Sequence, residues 1–435
     1  MTNTEELYER RKKLVPNALG IFNPSSVRSA KGAIIIDADG RELIDFAGGI
    51  GVMNAGHSPE AVVKAIQAQA SRFTHVGFNV SIYKEYLDLA EKLVELIPHG
   101  EHTKVMLTGS GAESVENSIK IARQATGRSA VICYSGAFHG RTLMAMTLTS
   151  NVKYKQQCGP YAPEVYRLDF PYYTENKSEG MSEEEFSDVH IKKLEDFFAS
   201  YVPAKQVAAI IIELVQGEGG FTVAPKSYIQ NLRKICDNHG ILLIIDEVQS
   251  GFGRTGKWAA FHHYDVFPDL STWAKSMGGG MPIGAVMGKA EIMDKALPGT
   301  IGGTYLGNPV ACAASLATIQ YMQEERINER GLYVGRMVRN VFEELQITFP
   351  DHIKDIRGLG AMLAIEFVQP KSGNPDGEIT KRIMLDCLEN GLIIITAGTH
   401  GNCIRVLSPL VIEDEVLLKG LAILKNSITK IIGNA

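Results

Sequence analysis

The sequence predicts an α/β protein with a large domain built on a mainly parallel β-sheet and a second, smaller α+β domain. Three observations lead to this fold class. A chain of 435 residues is too long for one small core, so two domains are expected. Through the middle of the chain, short runs that are apolar at every position alternate with segments of helical periodicity, as in a parallel sheet covered on both faces. After about residue 311 this alternation gives way to a long helical stretch and two further apolar runs.

The central elements follow one another as strands and helices. A helix is expected over 112–128, where apolar residues recur at helical spacing and Gly127 marks the end. A second helix is expected over 225–240, with Pro225 near its start. The predicted strands are KVMLTG (104–109), SAVICYSG (129–136), VAAIIIELV (207–215), ILLIID (241–246) and PIGAVMG (282–288). In sheets of this kind, ligands gather at the carboxyl ends of the strands.

The chain is predicted to divide into three parts. Residues 61–320 would form the large domain, and residues 321–435 the small α+β domain, with strands GAMLAIEFV and GLIIITAG and a closing helix. Residues 1–60, whose stretch AIIIDADGRELIDF contains strands, are expected to pack beside the small domain. The polar stretch TENKSEGMSEEEFSD (174–188) is expected to be an exposed loop.

Composition and charge exclude several classes of function. Lys and Arg number 44 against 49 Asp and Glu, a net charge of −5, so neither nucleic acid nor an anionic membrane is expected as a partner. No apolar run is long enough to cross a bilayer, and the first residues lack the apolar core of a signal peptide. The six cysteines show no CxxC spacing, and the adjacent His262 and His263 have no clustered partner, so no metal site is expected. The pattern predicts reduced thiols and a cytoplasmic protein.

The glycine motif GFGRTG (251–256) follows a predicted strand but does not indicate a nucleotide site. It fits G-x-G-x-x-G, and Lys257 brings it close to a P-loop. Trp258 stands where a P-loop needs Ser or Thr for magnesium, and Pro268 stops the segment that would have to be the long helix of a dinucleotide site. Nucleotide binding is therefore not expected here.

Four features at predicted strand ends together indicate an aldehyde cofactor. The turn at 109–111 opens a helix whose free backbone N–H groups can hold a phosphate. Asp246 ends an apolar strand, where a carboxylate is costly to bury unless it meets a cation such as a protonated pyridine nitrogen. Phe138 can stack on a ring, and a partly desolvated Lys275 can react as an amine. Singly, each has an ordinary explanation as a cap, core packing, an ion pair or a surface lysine. Their combination indicates pyridoxal phosphate.

With these motifs the sequence resembles the class III, or ω-, aminotransferases across essentially its whole length. The resemblance is carried by DFAGGIGVMNAGH, TGSGAESVENSIKIAR, FHGRT, ELVQGEGG, IIDEVQSGFGRTG, WAKSMGGGMPIGAV and GGTYLGNP. It implies the aspartate-aminotransferase-like fold, fold type I, with pyridoxal 5′-phosphate bound in the large domain. It also implies a homodimer, or a dimer of such dimers, with active sites at the subunit interface.

The resemblance assigns roles to the residues around the cofactor. Lys275 would bond the cofactor and shuttle protons, and Asp246 would keep the pyridine nitrogen protonated. Gln249 would hydrogen-bond the ring's 3-oxygen, and Thr304 would reach the phosphate bound by the partner subunit. The other expected cofactor residues are Ser110, Gly111, Ala112, Phe138, His139, Glu213 and Val248.

One position departs from the family pattern. Leu214 follows Glu213, where the family usually has proline. The local turn, and the expected support of Gln249 by Glu213, are therefore open on the sequence alone.

The same resemblance predicts how two unlike amino donors share one pocket. Arg141 would hold the distal carboxylate common to 4-aminobutyrate and glutamate, and Arg405 the α-carboxylate that only glutamate has. Glu218 would cover Arg405 while 4-aminobutyrate is bound, because a bare guanidinium against methylene groups is an uncompensated charge. Ile50 would line the apolar side. The expected reaction moves the amino group of 4-aminobutyrate to 2-oxoglutarate, giving succinate semialdehyde and glutamate.

Several alternatives stay open at this point. Enzymes for 5-aminovalerate, β-alanine or ornithine resemble this pattern, and one methylene changes binding by only about 1–3 kcal/mol. Ornithine would need a polar group for its free α-amino end, which Ile50 and Phe78 do not offer. An amino-acid racemase could use the same cofactor, although it would not need two arginines. A non-enzymatic relative without cofactor would not need both Lys275 and Asp246.

Overall fold

The alternating apolar and helical segments fold around one seven-stranded sheet in the computed structural model, which describes residues 1–433. The strands are β1 (Ser29–Lys31), β2 (Ile34–Ile36), β3 (Glu42–Asp45), β4 (Thr103–Thr108), β5 (Ala130–Tyr134), β6 (Val165–Leu168), β7 (Val207–Ile212), β8 (Val215–Gln216), β9 (Thr222–Val223), β10 (Leu242–Asp246), β11 (Leu270–Trp273), β12 (Gly284–Lys289), β13 (Ile353–Leu359), β14 (Met362–Phe367), β15 (Leu392–Ile393), β16 (Ile395–Ala397) and β17 (Cys403–Val406).

Helices separate most of these strands. They are α1 (Asn3–Leu14), α2 (Gly48–Gly51), α3 (Glu60–Arg72), α4 (Lys84–Leu96), α5 (Gly111–Thr126), α6 (Leu143–Leu148), α7 (Tyr173–Asn176), α8 (Glu183–Ser200), α9 (Lys226–His239), α10 (Ala290–Met293), α11 (Pro309–Glu324), α12 (Ile327–Thr348), α13 (Gly377–Glu389) and α14 (Asp414–Gly433). Short 3₁₀ turns lie at Val152–Tyr154, Ala204–Gln206, Ala260–His263 and Lys275–Gly278.

The large sheet has the strand order β4-β12-β11-β10-β7-β5-β6. β12 is antiparallel to both of its neighbours, β4 and β11, and the other neighbouring pairs are parallel. The predicted mainly parallel sheet is confirmed, with the PIGAVMG strand as its reversed member. Because β4 and β11 run in the same direction, six strands point their carboxyl ends toward one edge of the sheet.

Both faces of this sheet are buried. Along a strand, successive side chains point to opposite faces, and on β7 the residues Ile210 and Ile212 enter one hydrophobic cluster while Ala209 and Ile211 enter another. The first cluster includes Leu232 of α9, and the second is covered by α5. A strand buried on both faces has no polar side, which explains why VAAIII is apolar at every position.

The N-terminal strands complete their sheet with a strand from near the other end of the chain. β1, β2 and β3 form an antiparallel meander, and β3 pairs in parallel with β15, with Ile44 opposite Leu392. A separate antiparallel sheet has the order β13-β14-β17-β16. The β3–β15 pair joins a strand of the N-terminal segment to a strand of the C-terminal part in one sheet. The three-part division at 1–60, 61–320 and 321–435 stays a prediction.

Two predicted segments differ from the structure. The polar stretch 174–188 was expected to be loop, but α8 begins inside it at Glu183. Ser182 and Glu185 form a reciprocal capping box at this helix start, and three glutamates in the first turn favour the positive end of the helix dipole. The long helical stretch after residue 311 is two helices, α11 and α12, because Arg326 between them takes a left-handed φ of 50°.

The glycine motif at 251–256 forms turns after β10 and holds a buried arginine. Arg254 is fully buried, its guanidinium donates to the Ser408 carbonyl at 2.9 Å, and it also bonds the side chain of Asn54. Burial lowers the pKa of Arg254 to about 9, and the charge of Asp45 opposes this shift. The motif thus ties two distant segments of chain to the edge of the large sheet.

Within residues 1–433, no helix is long and apolar enough to span a membrane. In the same described part of the chain, no group of three or more His, Cys, Asp or Glu is placed to hold a metal ion.

Candidate active site

A cavity of about 520 Å³ opens at the carboxyl ends of the large sheet. Strands β4, β5, β7, β10 and β11 each lead into a segment that contributes to its wall. The predicted site residues that line it are Ser110, Gly111, Ala112, Phe138, His139, Arg141, Glu213, Glu218, Asp246, Val248, Gln249 and Lys275. Residues far apart in sequence meet here because parallel strands end at a common edge.

The start of α5 forms an anion-binding corner of this cavity. Ser110 is the N-cap, and its hydroxyl accepts a hydrogen bond from the Glu113 N–H at 3.3 Å. The N–H groups of Gly111 and Ala112 lie in the first turn, where a helix offers no internal acceptor and carries its positive dipole end. A side chain at Gly111 would lie 3.0 Å from both methyl groups of Val248, so glycine lets the helix start reach the wall. This corner fits a phosphate group.

Asp246 is held by two donors at the end of β10. One carboxylate oxygen lies 2.7 Å from Nδ1 of His139, and the other accepts from the Val248 N–H at 3.1 Å. Asp246 is 4% and His139 3% exposed, so this pair is shielded from water. A buried carboxylate fixed in this way can stabilise a positive charge placed in the cavity.

Two polar atoms beside this pair lack a partner. Nε2 of His139 and Oε1 of Gln249 are buried and have no hydrogen-bond partner among the described residues. Orphaned buried atoms are costly, and a bound polar group can satisfy them. With the anion-binding corner and the buried carboxylate, they form a set that fits a phosphorylated, protonatable ring.

Lys275 is presented by a strained turn directly after β11. Its φ is 51°, a left-handed value that costs a non-glycine residue on the order of 1–3 kcal/mol. Gly279 completes the turn at φ 57°, and a Cβ there would lie 2.1 Å from Oγ1 of Thr318 on α11. Burial lowers the pKa of Lys275 to about 8, although the charge of Glu218 opposes the shift. Gly279 therefore allows α11 to pack closely against the turn. Burial makes the amine of Lys275 a usable nucleophile.

Glu213 joins two loops of the site. Its carboxylate accepts from the Phe138 N–H at 2.9 Å and from the Gly217 N–H at 3.0 Å. Burial raises the pKa of Glu213 to about 7. Among the described residues no hydrogen bond links it to Gln249, so the expected support of Gln249 is replaced by support of the backbone. Leu214, in the position of the usual proline, is fully buried in the core.

Glu218 in the wall of the cavity forms an ion pair with a buried arginine. Arg405 on β17 is fully buried, and its Nη1 donates to Oε1 of Glu218 at 2.7 Å and to the Gly217 carbonyl at 3.3 Å. Burial alone would raise the pKa of Glu218, but the charge and hydrogen bond of Arg405 bring that pKa below its usual value. Nε and Nη2 of Arg405 have no partner in the described part of the chain. The guanidinium is thus paired with Glu218, and only one of its three nitrogens has a partner among the described residues.

Arg141 lies at the exposed rim of the same cavity. Within residues 1–433 no carboxylate lies within 4.0 Å of its guanidinium, which instead lies 4.6 Å from the ring centre of Tyr154. Tyr154 also donates from its hydroxyl to Oε2 of Glu218 at 3.0 Å. No sequence motif singles out this tyrosine. Nothing in the local sequence separates it from the chain's other tyrosines, because its contacts arise only when the turn Val152–Tyr154 packs on the site.

Three predicted residues do not line this cavity within the single chain: Arg405, which is fully buried and bonds Glu218, and Ile50 and Thr304. Ile50 is 38% exposed with a left-handed φ of 67°, and the cavity wall nearby is provided by Val52. Thr304 is exposed on the segment after β12. The roles of Ile50 toward substrate and of Thr304 toward the phosphate of a partner subunit stay predictions.

Comparisons with known proteins agree with this geometry. The sequence profile of the family "Aminotransferase class-III" matches residues 21–428. A probable 4-aminobutyrate aminotransferase of Bacillus subtilis is 45% identical over 97% of each chain, and a 5-aminovalerate aminotransferase of Pseudomonas putida is 44% identical over 98% of this chain and 99% of that one. The crystal structure of a taurine:2-oxoglutarate aminotransferase from Bifidobacterium kashiwanohense, in complex with PLP and glutamate, superimposes with a TM-score of 0.91 at 26% identity, covering 100% of this chain and 99% of that chain.

The match to the family covers nearly the whole chain, and the cavity is lined by the lysine, the buried aspartate and the helix start that the sequence motifs predict. The fold is that of the fold type I transaminases. The chain is therefore a member of the class III aminotransferases.

Proposed function

We propose that this enzyme transfers the amino group of 4-aminobutyrate to 2-oxoglutarate, giving succinate semialdehyde and glutamate. The observation that carries the proposal is the arrangement of two arginines around one cavity. Arg141 lines it and has no acid partner in the described chain, and Arg405 is buried and paired with Glu218 of the cavity wall. A donor with a single carboxylate needs one free arginine, and a dicarboxylate needs two. The names of the Bacillus subtilis and Pseudomonas putida relatives point to ω-amino acids as donors.

Pyridoxal 5′-phosphate is the cofactor of this family, and the residues of the cavity fit it. Ser110, Gly111 and Ala112 would hold the phosphate, and Asp246 the ring nitrogen. Phe138 and His139 would lie at the ring face, Val248 against the ring, and Gln249 at its 3-oxygen. When bound, this cofactor supplies an electron sink for breaking a C–H bond next to the amine.

The chain's own contribution to the chemistry centres on Lys275. At a pKa of about 8 its amine is neutral in about a tenth of molecules at pH 7, so it can both take up and return a proton. Asp246 is shielded from water and has a hydrogen-bond partner on each carboxylate oxygen, so it is positioned to stabilise a protonated ring nitrogen. Glu213 holds the loop of Phe138 in place through its bond to the backbone.

At the substrate end, Arg141, Glu218 and Arg405 would allow the site to bind both 4-aminobutyrate and glutamate. Arg141 would bind the carboxylate that both donors carry. With 4-aminobutyrate bound, Glu218 stays on Arg405, and no bare charge faces the methylene groups. With glutamate bound, the α-carboxylate would take the place of Glu218 on Arg405.

The discriminating experiment is a panel of donors with 2-oxoglutarate as acceptor. The panel includes 4-aminobutyrate, 5-aminovalerate, β-alanine, ornithine and taurine, with kcat/KM measured for each. The proposal requires 4-aminobutyrate to be the best donor. A higher kcat/KM with 5-aminovalerate would leave the enzyme an ω-aminotransferase and make 5-aminovalerate its proposed donor. Racemisation of an amino acid without any acceptor would overturn the assignment as a transaminase.

We also propose that the enzyme is a homodimer. The segments around 75–82 and 299–305 lie against each other, with the His75 and Tyr305 rings 5.0 Å apart. They expose the apolar side chains of Val76, Val80, Ile82 and Tyr305. Thr304 lies in the same region, where it would reach the phosphate of a partner. Light scattering of the purified protein tests this, and a monomer would contradict it.

A reducing compartment such as the cytoplasm is the proposed location. All six cysteines are free thiols, and five of them are buried. Such thiols persist where glutathione and thioredoxin keep proteins reduced.

A further inference from the structure

Tyr154 touches both of the arginine sites. It ends the 3₁₀ turn Val152–Tyr154, which Asn151 caps by accepting from the Lys153 N–H at 3.0 Å. Its ring meets Phe138 edge-on at 5.0 Å, and the guanidinium of Arg141 lies over its face. Its hydroxyl reaches Glu218. The ring and the hydroxyl thus contact opposite ends of the substrate site.

The hydroxyl and Arg405 hold different oxygens of one carboxylate. Oε1 of Glu218 accepts from Arg405 at 2.7 Å, and Oε2 accepts from Tyr154 at 3.0 Å. A carboxylate with one donor on each oxygen is fixed in both position and rotation. Burial, and then the charge of Glu218, raise the pKa of Tyr154 to about 12, so the hydroxyl stays protonated and remains a donor.

Glu218 and Tyr154 also border a second cavity, of about 270 Å³, lined in part by Lys153, Thr396 and His400. Glu218 therefore has space on the side away from the catalytic cavity. A carboxylate that leaves Arg405 in that direction must lose or rearrange its bond to Tyr154.

We propose that Tyr154 is a specificity-determining positioning residue that holds Glu218 on Arg405 and so biases the pocket toward donors with a single carboxylate. This inference rests on the proposed function, because it deepens the exchange between Glu218 and an α-carboxylate. The hydrogen bond from the hydroxyl to Glu218 adds to the free energy needed to move Glu218 away from Arg405. The ring has a separate role, because it holds the guanidinium of Arg141 at the rim of the cavity through a cation–π contact.

The experiment measures binding of two unreactive ligands to the holoenzyme. Glutarate has two carboxylates and needs Arg405 free, whereas butyrate has one and leaves Glu218 in place. Tyr154→Phe removes only the hydroxyl. One hydrogen bond to a charged acceptor corresponds to roughly a tenfold change in an equilibrium, so Tyr154→Phe should raise the preference for glutarate over butyrate by roughly ten.

A matched control lies on the same loop. Tyr161 donates its hydroxyl to the Lys155 carbonyl and does not line either cavity, so Tyr161→Phe should leave both dissociation constants unchanged. Tyr154→Leu removes the ring as well and should weaken both ligands through Arg141. Thermal unfolding of each variant shows whether the fold is retained.

Single-turnover rates provide a second measurement. In Tyr154→Phe the half-reaction with 4-aminobutyrate should slow relative to that with glutamate. An unchanged glutarate-to-butyrate preference, or equal weakening of both ligands, would overturn the inference. The binding measurement needs no turnover. If 4-aminobutyrate is not a donor at all, the proposed function fails while the role of Tyr154 is still decided by the two ligands.

Discussion

At the cofactor end of the cavity, Asp246, His139 and Glu213 are buried, and both carboxylates have a donor on each oxygen. At the substrate end, two donor atoms of Arg405 have no partner within residues 1–433, and Arg141 lies exposed on an aromatic ring. The first end grows from neighbouring strands of one sheet. The second end brings together β17 of another sheet, the turn after β8 and a loop that follows α6. The difference indicates that one end is fixed for a single cofactor and the other is assembled so that a side chain can be exchanged for a ligand.

The largest effect should come from the fixed end. Lys275→Ala removes the amine that bonds the cofactor and moves the proton, so kcat should fall by about 10⁴ or more while the protein still folds. Turnover of the purified variant measures this. Borohydride reduction of the native holoenzyme followed by peptide mapping should find the cofactor on Lys275. A label on Lys257, which bonds the His262 carbonyl outside the cavity, would show that the assignment is mistaken.

Asp246→Asn should be the next most severe change. Asparagine keeps the shape but loses the charge that stabilises a protonated ring nitrogen, so kcat should drop by about three powers of ten, or about 4 kcal/mol, with cofactor still bound. Absorbance of bound cofactor and steady-state rates measure the two quantities. Glu247→Gln is the matched control, since Glu247 is also buried but bonds Ser250 and the Phe261 N–H outside the cavity. Equal losses in both variants would remove the special role of Asp246.

Changes at the exchangeable end should split the two half-reactions. Glu218→Ser leaves Arg405 buried and unpaired when 4-aminobutyrate binds. The half-reaction with 4-aminobutyrate should therefore slow by about two powers of ten, and the half-reaction with glutamate should keep its rate. Arg405→Ala should show the opposite bias. Single-turnover rates with each donor measure the halves separately. If Glu218→Ser slows both halves equally, Glu218 is only a structural residue.

Arg141→Ala should differ from both of these variants. Each donor presents a distal carboxylate to Arg141, so KM should rise for 4-aminobutyrate and glutamate by a similar factor of about ten to a hundred. Steady-state kinetics with both donors test this. A rise for one donor alone would mean that the two do not share this arginine.

The smallest expected effect is on the pKa of Lys275 at the cofactor end, which the charge of Glu218 at the substrate end raises. In the cofactor-free protein, the reactivity of Lys275 toward an amine-acylating reagent should rise with pH and level off above about 8, since only the neutral amine reacts. The charge of Glu218 raises the pKa of Lys275, so Glu218→Gln should move the midpoint to lower pH. Peptide-resolved labelling across pH 6–10 provides the measurement (a range chosen around the usual lysine and the lowered value, about two units apart). A midpoint near that of exposed lysines would contradict the burial of this amine.

The fixed end could be predicted from sequence because each part has a local signature. A carboxylate after an apolar strand, a glycine turn before a helix and a lysine before glycines are all visible in short stretches, and the parallel topology brings them together. At the exchangeable end, Arg405 and Glu218 could be identified only through the resemblance to the family. Tyr154 was missed because its role depends on tertiary packing. The helix start at Glu183 was misjudged because a capping serine followed by acidic residues has the same polarity as an exposed loop.

The parallel pairing of β3 with β15 has a consequence for synthesis of the chain. Roughly 350 residues separate the two strands, so at about 5–20 residues per second a ribosome needs roughly 20–70 s to deliver the second after the first. During that interval the β1–β3 meander has an unpaired edge carrying Leu43 and Ile44, which in the finished protein are buried. A ribosome that stalls before residue 392 therefore leaves a chain in which β3 lacks its partner on that edge, and an unpaired apolar strand edge is a site of aggregation.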